Sequence, residues 1–192
     1  MKPIAFSQLI MLIACFIGCH APATTQIHGT PLSREQLDTL TGWWKNAEGE
    51  LCRLSPKKDG GCVVCWLDRE EDKIGFAAVN MDCTFTRLGE REFVFGRMLG
   101  VESKGTEYGF AYVVKRDNDV LLIADPNDDV FLQMVESGTI AGNIQTNEKK
   151  SRWPLITADS KEFLEAIEKK GIGKCFRTDE PQRFTRILGA RE

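Results

Sequence analysis

Between Glu50 and Ala124 the chain is divided into seven short runs rich in Val, Phe, Tyr and Ile. The runs are Glu50–Leu54, Cys62–Leu67, Ile74–Met81, Cys83–Leu88, Glu92–Arg97, Glu107–Lys115 and Val120–Ala124. Turn-forming residues separate several of them: Lys58-Asp59-Gly60-Gly61, Glu71-Asp72-Lys73, Gly89-Glu90 and Asp117-Asn118-Asp119. Strands this close in sequence leave no room for the crossover helices that parallel pairing needs, so they predict an antiparallel meander. Three further runs, Ile140–Thr146, Arg152–Thr157 and Arg183–Leu188, follow two helical segments. The first helix runs from a cap at Asn127 or Asp128 to Glu136, with Val130, Phe131, Met134 and Val135 on one stripe and Gly138 past its end. The second opens on Asp159 and Glu162 as a capping box, turns Phe163, Leu164 and Ile167 to one side, and closes at Gly171. Ser33 and Gln36 predict a shorter capped turn. The expected fold is mainly β with two short helices (α+β). Its antiparallel meander of about eight to nine strands closes, wholly or partly, into a barrel that removes its edges, with a helix near the C-terminus.

With 42% hydrophobic and 28% charged residues, the chain has the composition of a globular protein. Residues 32–192 suffice for one domain around one core. The net charge is -3, and although residues 148–192 carry 11 basic and 8 acidic side chains, no basic stripe of the kind nucleic acid demands is present. Nucleic acid is excluded as a partner. Both histidines, His20 and His28, precede Leu32. The body is therefore expected to lack a Ser-His-Asp triad, a Cys-His pair, a His-ligated zinc and a histidine base. No enzymatic activity, cofactor or metal is expected. Hydrolysis by paired carboxylates is the remaining catalytic option, and no pair stands out.

The body holds five cysteines, Cys52, Cys62, Cys65, Cys83 and Cys175. In a strand, Cys62 and Cys65 point to opposite faces, which argues against both a zinc knuckle and a redox pair. A disulfide of Cys52 with Cys65 or with Cys83 and burial as free thiols are both open. Asp125, Asn127, Asp129 and Glu136 fall at positions 1, 3, 5 and 12 of a calcium loop, but Val130 occupies the place that requires glycine, so these carboxylates are expected to open a helix instead. Alternation along Tyr108-Gly109-Phe110-Ala111-Tyr112 puts three aromatic rings on one face. With Trp66 they are the candidate lining of an apolar ligand cavity, against the alternative of an ordinary filled core.

Upstream, a lysine at position 2 and the apolar run Leu9–Gly18 form an export signal, too short to span a membrane. Phe16-Ile17-Gly18-Cys19 resembles the lipobox of bacterial lipoproteins. That resemblance implies a signal peptide over residues 1–18, acylation of Cys19, and a membrane as partner through the lipid anchor. His20 after the cysteine implies the periplasmic face of the outer membrane. An Ala21-Pro22-Ala23 cleavage site is the alternative, giving a soluble periplasmic or secreted protein. Residues 19–31, small, polar and flanked by prolines, are expected to be a flexible tether.

Gly42-Trp43-Trp44 matches the G-x-W that opens the first strand of lipocalins, and the meander, late helix and last strand are similar to that family's order. The resemblance implies a barrel in which a basic residue, Arg186 or Arg183, packs over Trp44. The function it suggests is an envelope lipoprotein that binds an apolar small molecule or lipid. A structural or assembly lipoprotein that meets an envelope protein is the alternative.

Overall fold

The structure, a computed structural model, describes residues 21–58, 60–69, 76–100 and 107–187. The segment expected to be an export signal and Cys19 lie outside them. Two short strands, β1 (Ala23–Thr24) and β2 (Thr30–Pro31), and a helix, α1 (Arg34–Asp38), lead into β3 (Gly42–Lys45), β4 (Leu51–Pro56), β5 (Cys62–Arg69), β6 (Phe76–Leu88), β7 (Arg91–Met98), β8 (Tyr108–Arg116) and β9 (Val120–Ala124). Then come α2 (Asp128–Glu136), the hairpin β10 (Gly142–Thr146) and β11 (Arg152–Ile156), α3 (Ser160–Lys170), α4 (Ile172–Cys175) and β12 (Gln182–Arg186).

From β4 to β9 each strand pairs antiparallel with the one before it, and β12 returns between β9 and β3, so eight strands form a closed barrel. Closure depends on β8. Its first residues, Tyr108 and Gly109, pair with β1, while Tyr112–Arg116 pair with β9 past a register shift between Val113 and Lys115. A bulge of this kind bends and twists a strand. The sheet divides there: β9 turns inward to close the barrel, and β1, β11 and β10 continue outward as a side sheet.

The described parts of the two runs expected at Ile74–Met81 and Cys83–Leu88 form one long strand, β6 (Phe76–Leu88), Ile74 and Gly75 lying outside the described residues. Asp82, which separates them in sequence, causes no break because alternation turns Met81, Cys83 and Phe85 into the barrel and leaves Asp82 outside. There its carboxylate meets Lys57 at 2.6 Å and Arg97 at 3.6 Å.

Two cores form where one was expected. Inside the barrel are Trp44, Leu54, Trp66, Met81, Phe85 and Phe184, with Leu37 of α1 and Leu40 closing one end. Outside it, Phe93, Phe95 and Phe110 on the outer faces of β7 and β8 meet Phe131 of α2, Phe163 of α3 and Phe176. A helix needs a surface on which to bury its stripe, and here the barrel wall supplies it. Asp159 caps α3 as expected, accepting from the Glu162 amide at 2.8 Å. The Glu162 carboxylate does not complete the capping box; it accepts from the Ala141 amide at 2.6 Å and so ties α3 to the start of β10.

The flexible tether expected over residues 19–31 is corrected for its described part. Residues 21–31 lie on the domain: Thr25 donates to the Ile156 carbonyl (3.0 Å), and Leu32, just beyond them, to that of Phe85 (2.9 Å). Gly29, at φ 87, passes so close to β6 that a Cβ there would stand 2.5 Å from the Arg87 carbonyl oxygen. Strand pairing uses backbone groups, which small and polar residues carry as well as any others.

Candidate functional site

The barrel interior is apolar and almost full. Trp66, 2% exposed, sets its ring edge-on to Phe184 with centroids 5.8 Å apart. Around these rings Trp44, Leu54, Met81, Phe85, Leu121 and Ile123 line a void of about 40 Å³. That is room for small molecules of the size of water, whereas pockets for drug-sized ligands measure roughly 300–1,000 Å³. One polar group is left over: the indole N–H of Trp66 is buried and has no hydrogen-bond partner.

The four residues expected to line a cavity together are divided between the two cores. Trp66 faces the barrel interior, and Phe110, Tyr108 and Tyr112 belong to the outer cluster. The alternation along β8 is as expected, but the small and branched side is the inner one, where Ala111 and Val113 join the interior cluster. Tyr108 lies under the Arg97 guanidinium at 5.5 Å, and Tyr112 rests against Phe176 at 5.6 Å.

Cys52, Cys62 and Cys83 are also inside the barrel, and Cys175 is in the outer core. Neither disulfide considered for Cys52 is present, since all five cysteines are free thiols. Cys62 stands directly opposite Cys83, Cys52 opposite Trp66, and Cys65 half-buried opposite Arg53. Burial pushes the Cys52 and Cys62 thiols up to about 12 and Cys83 well above the usual range, so these sulfurs stay protonated and inert. Among the described residues no three His, Cys, Asp or Glu side chains gather closely enough to hold a metal ion. The Asp125–Asp129 segment forms the turn from β9 into α2, and buried Asp125 accepts from the Gln182 amide at 3.0 Å.

His28 was not among the candidates, because it was assigned to the tether. It is fully buried, stacked on Phe163 at 4.3 Å and edge-on to Phe95 at 5.6 Å. Its Nε2 shares a 3.0 Å hydrogen bond with the Thr24 hydroxyl, and its Nδ1 lies 3.5 Å from that of Ser160. Thr24, whose hydroxyl lies nearest the imidazole, is likewise 0% exposed. The arrangement is a pin that fastens the N-terminal segment to α3. Burial lowers His28 to about 4, against the opposing charge of Asp159. The unfolded chain takes up this proton near 6.5 and the folded chain only near 4, so stability is complete above about pH 6.5 and falls as pH drops through that interval. The expected loss is about 2 kcal/mol, read from urea unfolding at pH 7, 5.5 and 4, and His28→Phe should flatten the dependence. An equal slope in the two proteins would show that another group titrates.

At the end of the barrel closed by α1, the Arg186 guanidinium lies over the Trp44 ring at 4.7 Å. It donates to the Thr41 carbonyl at 2.6 Å and to those of Thr39 and Asn118. Arg186, rather than the exposed Arg183, fills the role that the resemblance gave to one of the two. Trp44 itself donates to the Leu40 carbonyl at 2.8 Å.

The molecule is thus a closed eight-stranded antiparallel barrel with a helical side layer, compatible with a lipocalin-like body. No known protein family, curated protein or solved structure matches the chain. Among the described residues no helix is long and apolar enough to cross a membrane, which says nothing of strands.

Proposed function

We propose that this is an exported lipoprotein, held at the periplasmic face of the outer membrane by acylated Cys19, that binds an apolar small molecule or lipid inside its barrel and catalyses nothing. The observation that carries the binding reading is the unpartnered Trp66 N–H in an otherwise apolar interior. A buried donor left unmade costs about 1–3 kcal/mol, which a guest with one acceptor atom would recover. Entry of that guest requires the interior to widen beyond its 40 Å³, and the unbranched Met81 is the lining side chain best able to turn aside. The small void itself favours a second reading, a filled barrel that serves as a rigid scaffold for an envelope protein.

Native mass spectrometry of the protein extracted from its own membrane separates the two, together with a tryptophan-fluorescence titration using saturated fatty acids of increasing length. A retained small molecule and saturable binding, weakened about tenfold by Trp66→Phe, are the expected results. Recovery of the bare chain with no response to any fatty acid would overturn the binder and leave the scaffold.

A further inference from the structure

The start of the folded chain constrains how an anchored molecule sits on its membrane. Pro22 is already buried, and Ala23 pairs with Gly109 of β8 and Leu155 of β11. Cys19 is two residues before Ala21, so the two Cα atoms are no more than about 8 Å apart. An acyl group on Cys19 therefore holds this part of the domain at headgroup level, where a dozen free residues would have let it turn in any direction. The pairing also gives a direction. β1 runs parallel to β11, so the chain before Ala23 leads back toward the beginning of β11, which is the tip of the β10–β11 hairpin. Lys149 and Lys150 are exposed at that tip beside one acid, Glu148, while the neighbouring Arg152 is bound to Glu136 at 2.7 Å.

The backbone of the tip carries a second, independent observation. Two turns in the protein are built alike, Asn46–Glu50 and Asn147–Ser151. In each the asparagine amide donates to the carbonyl of the fifth residue, its carbonyl accepts from the fourth amide, and its side-chain oxygen accepts from the fifth amide. The fourth position is left-handed in both. In the first turn it is Gly49, at φ 93; in the second it is Lys150, at φ 63, the one non-glycine residue with positive φ among those described. A lysine is disfavoured there by its Cβ, so the tip keeps a cation where the backbone favours glycine.

We propose that the β10–β11 tip is a membrane contact, with Lys149 and Lys150 resting on anionic lipid headgroups. The proposal rests on the acylation of Cys19 and adds to it an orientation, in which the hairpin faces the bilayer and the base of the hairpin, with α3, faces away. Lysines near an anionic surface are attracted to it, and the attraction falls off within a Debye length.

The test uses the full chain, extracted from a bacterial envelope and placed on vesicles of phosphatidylethanolamine with phosphatidylglycerol. Lysines are labelled with an amine-reactive ester, and the sites are read by peptide mass spectrometry. Lys149 and Lys150 should react about fivefold more slowly on vesicles than in detergent, while Lys161, whose side chain is 84% exposed near the hairpin base, reacts equally in both. Vesicles of phosphatidylcholine alone should give little protection. Lys150→Gly should raise the melting temperature yet lose the protection at Lys149. An acylated chain whose tip lysines react as fast as Lys161 overturns the contact while sparing the anchor, and equal protection on both vesicle types overturns the role of charge. An unacylated N-terminus, read from the intact mass, removes the anchor and the proposal with it.

Discussion

Replacing Phe110 by alanine is expected to remove about 4 kcal/mol of stability, a large part of what a domain of this size holds. Phe110 is 0% exposed at the centre of the outer core. Its ring is edge-on to Phe131 at 5.2 Å and to Phe163 at 5.5 Å, and within 6.2 Å of Phe95 and Phe176. It therefore touches α2, α3 and the segment after α4 at once. The cost has two parts, the transfer of the lost ring atoms and the cavity left among rings fixed by their own neighbours. Phe110→Leu keeps most of the volume and loses the edge-on geometry, so it should cost about 1.5 kcal/mol. Urea unfolding of the three proteins measures this directly. A loss below about 1.5 kcal/mol for the alanine variant would mean that the helical layer does not share a cooperative core with the barrel.

Arg186→Ala is expected to cost about 3 kcal/mol through a different cause. The guanidinium spans the carbonyls of Thr39, Thr41 and Asn118 and covers the Trp44 face, so it joins the segment after α1, the β8–β9 turn and the last strand. Water reaches this end of the barrel and will satisfy some of the freed carbonyls, which keeps the loss below the sum of three charged hydrogen bonds. Arg186→Lys should recover less than half, because an ammonium cannot lie flat on the indole and serve three acceptors in a plane. Thermal unfolding gives the ranking, and a lysine variant as stable as the parent would show that only the charge matters.

Much of the architecture can be read from the chain. The turn residues at 89–90 and 117–119, the caps at Ser33 and Asp159, and the opposite facing of Cys62 and Cys65 all appear where local pattern puts them. These depend on neighbours a few residues apart, which is the range over which propensity and alternation act. The pairing of Trp44 with Arg186 was legible only through the resemblance to a family. Neither residue marks the other by spacing.

What the sequence could not decide was which side of each strand is inside. Period two separates Tyr108, Phe110 and Tyr112 from Gly109 and Ala111, but it is symmetric between the two faces, and the aromatic face looked like the one to bury in a cavity. In an eight-stranded barrel the interior is narrow, so Ala111 and Val113 fit within while the rings form a second core with the helices. The same limit hid the residues before Leu32. Ala21-Pro22-Ala23-Thr24 has the composition of a linker, and nothing in it announces that its backbone will be taken up between β8 and β11 or that His28 will stack on a phenylalanine far along the chain.

The sequence by itself determined the order and type of most elements from β4 onward and the strand-by-strand alternation, because these follow from local geometry. Tertiary structure alone decided the two-core division, the narrow 40 Å³ void beside an unpartnered Trp66 N–H, and the docking of residues 21–31. Each of these depends on barrel curvature and on backbone pairing between distant segments, and neither is written in the identity of any single residue.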